Sequence, residues 1–141
     1  MASLFTRILQ KEIPGHFVWL DDLCFAIMTI EPIRRGHLLL IPRQEVDHWD
    51  ALPADTLAHL SVTAQKIAGA MKQVIACKRI GMSVVGLEVP HTHIHLIPID
   101  SMDDMNFSRA QMASGQELAA SAAQIRQALR EQGYTEAEPL P

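Results

Sequence analysis

Three histidines, His91, His93 and His95, alternate with Thr92 and Ile94 in a short stretch of the chain. Successive side chains of a β-strand point to opposite faces, so an extended backbone would place the three imidazoles on one face within about 13 Å. The polar face of a solvated edge strand normally carries Thr, Lys, Glu or Ser rather than three imidazoles. The spacing therefore indicates a functional surface.

Two kinds of chemistry suit such a set of imidazoles. Imidazole is the commonest metal ligand, and three of them can hold zinc with one coordination position left for water. Alternatively, a neutral imidazole can attack phosphorus while its neighbours stabilise the charge that develops on the oxygens. A neighbouring imidazole can also donate a proton to a leaving group. The residues alone leave both chemistries open.

Three segments predict α-helices, because apolar residues recur in them at spacings of three and four. They are residues 3–10, the stretch from Asp55 to about Cys77, and the stretch from Ser114 to Gly133. The third begins with a capping-box pattern and ends at a glycine, both of which are typical of helix termini. The second is the longest helix that the sequence predicts.

Five segments predict β-strands by their apolar, β-branched and aromatic residues. They are residues 17–20, 23–28, 36–42, 82–85 and 91–99. The acidic pair Asp21 and Asp22 joins the first two as a hairpin, whereas residues 100–113 and 135–141 are predicted as loops. An opening hairpin favours an α+β fold, with an antiparallel five-stranded sheet, one long helix and a C-terminal helix.

Length and composition restrict the class of protein. The 141 residues suit a single domain with one core. The net charge of −4, without a run of basic residues, disfavours long nucleic acid as a partner. The N-terminus lacks the apolar region of a signal peptide, and no apolar run is long enough to cross a membrane. Cys24 and Cys77 are predicted to be buried reduced thiols. A soluble cytoplasmic protein is expected.

The histidine segment and its flanks resemble the histidine triad (HIT) family, which is named for a His-x-His-x-His strand followed by two apolar residues. Leu96 and Ile97 are those two residues here, and Pro98 follows them. The resemblance spans about residues 4–98. It includes the blocks Ile8–Pro14, Gly36–Arg43 and Gly86–Pro90, which occur in the family's order. The chain is thus predicted to be one HIT-like domain, residues 1–141, with a C-terminal loop and helix at residues 100–134.

The resemblance implies a homodimer whose two sheets join, and hydrolysis or transfer of a nucleoside monophosphate without a metal or other cofactor. By position, His93 would be the nucleophile that forms a nucleotidyl-histidine intermediate. His91 and His95 would hold it and the phosphate oxygens, and His37 would lie behind them as the fourth histidine. A small nucleotide is the implied substrate, with purine 5′-phosphoramidates first and dinucleoside polyphosphates second.

Other positions would contact the nucleotide. The resemblance places six apolar residues around the base, although each could equally belong to an ordinary core: Leu4, Phe5, Ile8, Ile27, Met28 and Ile30. Thr29 occupies the position that usually carries Asp or Asn against the ribose hydroxyls, and a lone hydroxyl supplies a weaker contact. Leu87 and Glu88 stand where Gln and Ser or Thr commonly bind phosphate. Glu88 would repel phosphate unless it points away as an ion-pair partner or meets a cationic group on the substrate.

These departures leave two further hypotheses. A nucleotide-binding or partner-binding module could keep the fold with little turnover, and a zinc hydrolase could use the three histidines. Some family members also bind structural zinc through N-terminal cysteines and a histidine, but Ser3, Thr6 and Glu45 occupy those places here. No zinc is predicted. No tryptophan follows Trp49 to serve as the aromatic that some relatives lend to the partner's leaving-group site.

Overall fold

A computed structural model describes residues 2–137, and its main elements follow the predicted order. They are α1 (Leu4–Leu9), β1 (Phe17–Leu20), β2 (Cys24–Met28), β3 (Leu38–Pro42), α2 (Ala54–Val74), β4 (Arg79–Ser83), β5 (Ile94–Ile99) and α3 (Gly115–Glu131). The five strands form one antiparallel sheet in the order β1-β2-β3-β5-β4. The predicted α+β class is therefore confirmed. Within residues 2–137, no helix is both long and apolar enough to cross a membrane.

The long helices cover one face of the sheet. In α2, the buried side chains of Leu60, Ile67 and Met71 lie at helical spacing and pack into the main core. Ser114 caps α3, because its hydroxyl accepts a hydrogen bond from the backbone N–H of Glu117 at 3.1 Å. The apolar stripes of both helices are buried against the strands, which is why the helices lie on the same side.

The opposite face of the sheet carries the short helix α1 and the histidines. Phe5 and Ile8 of α1 pack with Ile27, Leu39 and the rest of a second, smaller apolar cluster. His95 pairs with Leu39 across β5 and β3, and so lies beside this cluster. The sheet thus separates a structural face, which is covered by two helices, from a face that holds the candidate chemistry.

Four predicted segments differ from the observed elements. The strand expected at 91–99 begins only at Ile94, because the N–H of Thr92 bonds the carbonyl oxygen of Val46 instead of a neighbouring strand. The strand expected at 82–85 is β4, three residues earlier. The loop expected at 100–113 contains two 3₁₀ turns, Met102–Met105 and Phe107–Arg109. The loop expected at 135–141 begins with a 3₁₀ turn, Thr135–Ala137, and its last four residues lie outside the described range.

Candidate active site

His93 is the best oriented candidate nucleophile in the molecule. It precedes β5, and only 7% of the residue is exposed. Its Nδ1 lies 2.9 Å from the carbonyl oxygen of His91, and because that oxygen can only accept, Nδ1 carries the proton. The ring of Phe5 stands edge-on to the imidazole at 4.9 Å between ring centroids. The neutral ring therefore has its lone pair on Nε2, the nitrogen a nucleophile would use.

A chain of hydrogen bonds fixes the tautomer of His95. The backbone N–H of Ile33 donates to Nδ1 of His37 at 3.1 Å, so a neutral His37 carries its proton on Nε2. This Nε2–H donates to Nδ1 of His95 at 3.0 Å. His95 must then hold its own proton on Nε2. The rings of His95 and His93 lie 5.0 Å apart between centroids, so an N–H donor stands beside the free lone pair.

Burial keeps this pair of histidines neutral. It lowers the pKa of His37 to about 3, with the neighbouring His95 as a second cause. Burial also lowers the pKa of His95 to about 4, with His93 as the second cause. Both rings are therefore uncharged at neutral pH, as the single direction of the hydrogen-bond chain requires.

His91 faces the protein rather than a cavity. Its Nε2 lies 2.7 Å from the carbonyl oxygen of Pro42, and its Nδ1 lies 2.6 Å from the hydroxyl of Ser3. The residue is 0% exposed, and this burial is the main cause that lowers its pKa. Both ring nitrogens are thus engaged, and His91 holds His93 through its backbone carbonyl. The predicted contact between the His91 ring and phosphate oxygens would require one of these bonds to break.

A pocket of about 210 Å³ opens next to His93 and His95. The loop before the histidines forms one wall through Val85, Gly86, Leu87 and Glu88, and Phe107 forms another. Leu87 is 90% exposed, and Glu88 is also exposed. The pocket thus joins the buried His93 and the half-buried His95 to an open loop.

Comparisons with known proteins identify the family of this chain. The sequence model of the protein family described as the HIT domain matches residues 10–102. The chain belongs to the HIT family. An uncharacterised HIT-like protein of Methanocaldococcus jannaschii is 31% identical over 105 residues, which cover 67% of this chain and 77% of that protein. An adenosine 5′-monophosphoramidase of Saccharomyces cerevisiae is 30% identical over 98 residues, which cover 69% of this chain and 62% of that protein.

A solved structure extends the likeness of fold over most of the HIT chain. A zinc-bound histidine triad family protein from Mycobacterium smegmatis superimposes with a TM-score of 0.81 at 23% identity. The match covers 94% of this chain and 96% of that one. Therefore the C-terminal helix α3, which follows the residues matched by the family model, is also shared with a solved HIT fold.

The residues predicted to enclose a base divide into three groups in this HIT domain. Phe5, Ile8 and Ile27 are buried in one apolar cluster, from which the Phe5 ring contacts the His93 ring. Leu4 and Ile30 are exposed. Met28 lies in the main core on the helix-covered face, because consecutive residues of β2 point to opposite sides of the sheet. The structure therefore does not bring Met28 to the site with Ile27.

Thr29 directly follows β2, where a ribose contact was predicted. Its hydroxyl accepts a bond from the backbone N–H of Glu31 at 3.3 Å, and its own N–H donates to the carbonyl oxygen of His37 at 3.4 Å. The hydroxyl has one proton left to donate. The predicted role of Thr29 in binding ribose remains a prediction with a single contact available.

The three triad histidines do not direct their nitrogens to one point, so their geometry does not fit zinc. His91 uses both nitrogens in bonds to Pro42 and Ser3, and His95 Nδ1 bonds His37. Structural zinc would need other ligands near the N-terminus. There the backbone N–H of Ser3 donates to the carboxylate of Glu45 at 2.6 Å, which ties α1 to the loop after β3 without a metal ligand set.

One other group of described residues brings potential metal ligands together. The ligand atoms of Asp21, Cys24 and His59 lie within 4.8 Å of one another at the β1–β2 turn. However, one carboxylate oxygen of Asp21 already accepts from the Trp19 indole N–H at 2.8 Å and lies 2.7 Å from His59 Nε2. Burial also raises the pKa of the Cys24 thiol well above its usual value, which disfavours the thiolate that metals bind. The group fits a hydrogen-bonded turn.

Phe107 is a site residue that the sequence analysis missed. Its ring lies 4.7 Å from the His95 ring and 6.3 Å from the His37 ring, edge-on to both. The sequence predicts a loop over residues 100–113, and the family pattern ends at about residue 98. The available signal was a single aromatic residue in an otherwise polar segment, which does not by itself indicate a contact with a strand.

Proposed function

We propose that this HIT protein cleaves the bond between the α-phosphorus of a nucleoside monophosphate and an amine, through a nucleotidyl intermediate on His93. One observation carries the proposal: His93, whose Nε2 lone pair is free, and His95, whose proton lies on Nε2, line the same pocket with their ring centroids 5.0 Å apart. The relative named as an adenosine 5′-monophosphoramidase supports this substrate class. A nucleotidyl hydrolase or transferase is the broader form of the proposal.

The first step forms a bond between His93 Nε2 and phosphorus and breaks the P–N bond. The leaving nitrogen takes up one proton from solvent, while the Nε2–H of the neutral His95 donates a hydrogen bond at the same pocket. His93 becomes a cationic imidazole in the intermediate, and its Nδ1–H bond to the His91 carbonyl becomes charge-assisted and stronger. The backbone of His91 thus stabilises the intermediate more than the free enzyme, which is the requirement for catalysis.

The second step returns the enzyme to its starting state. Water attacks the same phosphorus opposite His93, the N–P bond breaks, and its electron pair returns to Nε2. The products are the nucleoside monophosphate and one proton released to solvent, which balances the proton consumed in the first step. His95 is positioned to hydrogen bond the phosphoryl oxygens in both steps.

We also propose that two copies pair through the edge strand β4. Met82 of β4 is 61% exposed, and Val84, Val85 and Val62 of α2 are exposed near the same edge. An open edge with apolar side chains favours pairing with a second strand, and a symmetric dimer is the commonest assembly. Met82→Glu is expected to shift the sedimentation velocity distribution from dimer to monomer, whereas the matched change Met112→Glu, away from β4, leaves it unchanged. A monomeric parent protein would refute the dimer.

Rapid-quench mass spectrometry tests the catalytic proposal directly. The protein is mixed with adenosine 5′-phosphoramidate, quenched in alkali to preserve phosphoramidate bonds, and digested. A mass increase of one adenylyl group on the peptide that contains His93, absent from His93→Ala, is the expected result. Turnover without any adduct in the wild type, and with undiminished rate in His93→Ala, would contradict the mechanism.

A binding module is the second candidate function. It is favoured by the single contact that Thr29 can offer to ribose and by the exposed Leu87 at a phosphate position. Calorimetric titration with adenosine monophosphate distinguishes it. Submicromolar binding in a protein that forms no adduct and turns over no phosphoramidate would favour the module over the enzyme.

A further inference from the structure

The pocket beside His95 has an unusual pair of walls for an enzyme that handles phosphate. Phe107 and Glu88 both line it, and the residues that line it include neither Arg nor Lys. His93 and His95 line the same pocket, so a phosphorus held against His93 brings its leaving group within reach of the other pocket walls. The side chains that meet the leaving group are therefore an aromatic ring and a carboxylate.

Phe107 is held firmly in place by the segment that follows β5. Asp104, which is buried, accepts hydrogen bonds from the guanidinium of Arg34 at 2.8 Å and from the backbone N–H of Asp100 at 2.8 Å. Its other oxygen accepts from Arg109 at 3.2 Å. Arg109 lies in the same 3₁₀ turn as Phe107. This network fixes the turn, so Phe107 presents one preset surface to the pocket while its ring packs against the His95 ring at 4.7 Å between centroids.

Glu88 is available to a ligand. Within residues 2–137 it forms no ion pair, and its carboxylate stands on the exposed loop across from Phe107. The alternative role of Glu88 as a structural ion-pair partner therefore has no counterpart among these residues. A free carboxylate at this position attracts a cation and repels the sulfate or phosphate oxygens of an anionic leaving group.

We infer that Phe107 and Glu88 form a leaving-group subsite that selects an amine with an apolar body and a second positive charge. This inference rests on the proposed function, since it concerns the amine that departs from the same phosphorus. The apolar body packs on the Phe107 ring, and the distal ammonium lies between its face and the Glu88 carboxylate. A diamine attached through one nitrogen has this chemistry, whereas a polyphosphate or sulfate does not.

Three adenosine 5′-phosphoramidates of equal chain length test the inference. Their leaving amines are 1,5-diaminopentane, 1-aminopentane and 5-aminopentanoate, which differ only in the charge of the far end. We expect kcat/KM to be highest for the compound with the cationic far end, lower for the neutral one and lowest for the anionic one. The cationic and neutral compounds should differ roughly tenfold in kcat/KM, because one exposed ion pair and one cation–π contact favour the cation. The ratio should fall with added salt, because exposed charges are screened.

Two variants locate the source of this ratio. Glu88→Gln and Phe107→Leu are each expected to lower the cation-to-neutral ratio to about threefold or less. Glu131→Gln is the matched control, because it removes a carboxylate from the end of α3, outside this pocket. A wild-type ratio near one, or a ratio that Glu88→Gln leaves unchanged, would overturn the subsite.

A binding measurement separates failure of the subsite from failure of the proposed function. The same three phosphoramidates are titrated calorimetrically into His93→Ala, which cannot form the adduct. A preference for the diamine that Glu88→Gln removes supports the subsite even without turnover. Equal binding of all three compounds refutes it, while turnover of the aminopentane compound by the wild type leaves the catalytic proposal in place.

Discussion

The two sides of the active-site pocket are built in different ways. On one side, His93, His95 and His37 are held by backbone carbonyls, a backbone amide and one another. On the other, Leu87 and Glu88 project from a loop with little contact to the core. Groups that react must be held to a fraction of an ångström, whereas groups that recognise a variable substrate can lie on a loop. We therefore expect the histidine side to carry out the chemistry and the loop side to select the substrate.

The sharpest test of the buried side is the loss of the nucleophile. His93→Ala is expected to lower kcat by roughly 10⁴-fold or more, since no other described group at the pocket can form the covalent intermediate. Steady-state kinetics with adenosine 5′-phosphoramidate give the value. The circular dichroism spectrum should match that of the wild type. Residual activity within tenfold of wild type would remove His93 from the mechanism.

The buried side also predicts how stability depends on pH. The folded state holds His37 neutral with a pKa of about 3, whereas an unfolded chain protonates it near pH 6.5, so unfolding takes up a proton between these values. The free energy of unfolding therefore has its full value above about pH 6.5 and decreases as the pH falls toward 3. At pH 5, His37 alone should cost on the order of 2 kcal/mol. Urea unfolding at pH 7 and pH 5 measures the loss, which His37→Leu should reduce.

The same variant, His37→Leu, probes the relay of hydrogen bonds that runs from the Ile33 N–H through His37 and orients the His95 ring. His37→Leu removes the donor to His95 Nδ1, so the His95 ring can adopt either tautomer. A reduction in kcat of roughly 10- to 100-fold with little change in KM is expected, as for other groups that orient a reacting histidine. Unchanged kcat would show that the relay is only structural.

The exposed side should respond much more weakly. Leu87→Ala removes a side chain that is 90% exposed, so the free energy of unfolding should change by less than about 0.5 kcal/mol. Its contact with the substrate predicts a two- to threefold rise in KM. Leu23→Ala, at the β1–β2 turn, provides an exposed leucine outside the pocket as a control. A loss of stability as large as the cost that His37 imposes at pH 5 would erase the distinction between the two sides.

Much of the fold could be predicted because long apolar periodicities determine it. The stripe of α2 and the alternation of apolar strands required a helix-covered sheet, and the element order followed. The start of β5 could not be predicted, because the backbone of Thr92 bonds Val46, which is distant in sequence. A local pattern carries no information about such a partner.

The candidate site was predictable in part for the same reason. The spacing of the triad singled out His93 and His95, and the family resemblance added His37. The inward position of the His91 ring depends on Ser3 and Pro42, and the contact of Phe107 with His95 depends on the Asp104 network. Both result from tertiary hydrogen bonds, which neither spacing nor composition encodes.

The first donor of the relay is a main-chain group, the N–H of Ile33. Exchanging the Ile33 side chain can change local packing, yet every residue except proline retains that N–H. The direction in which protons are held along His37 and His95 is consequently insensitive to almost any mutation at position 33. Position 33 can therefore vary in sequence during evolution while the imidazole that faces the substrate keeps its hydrogen.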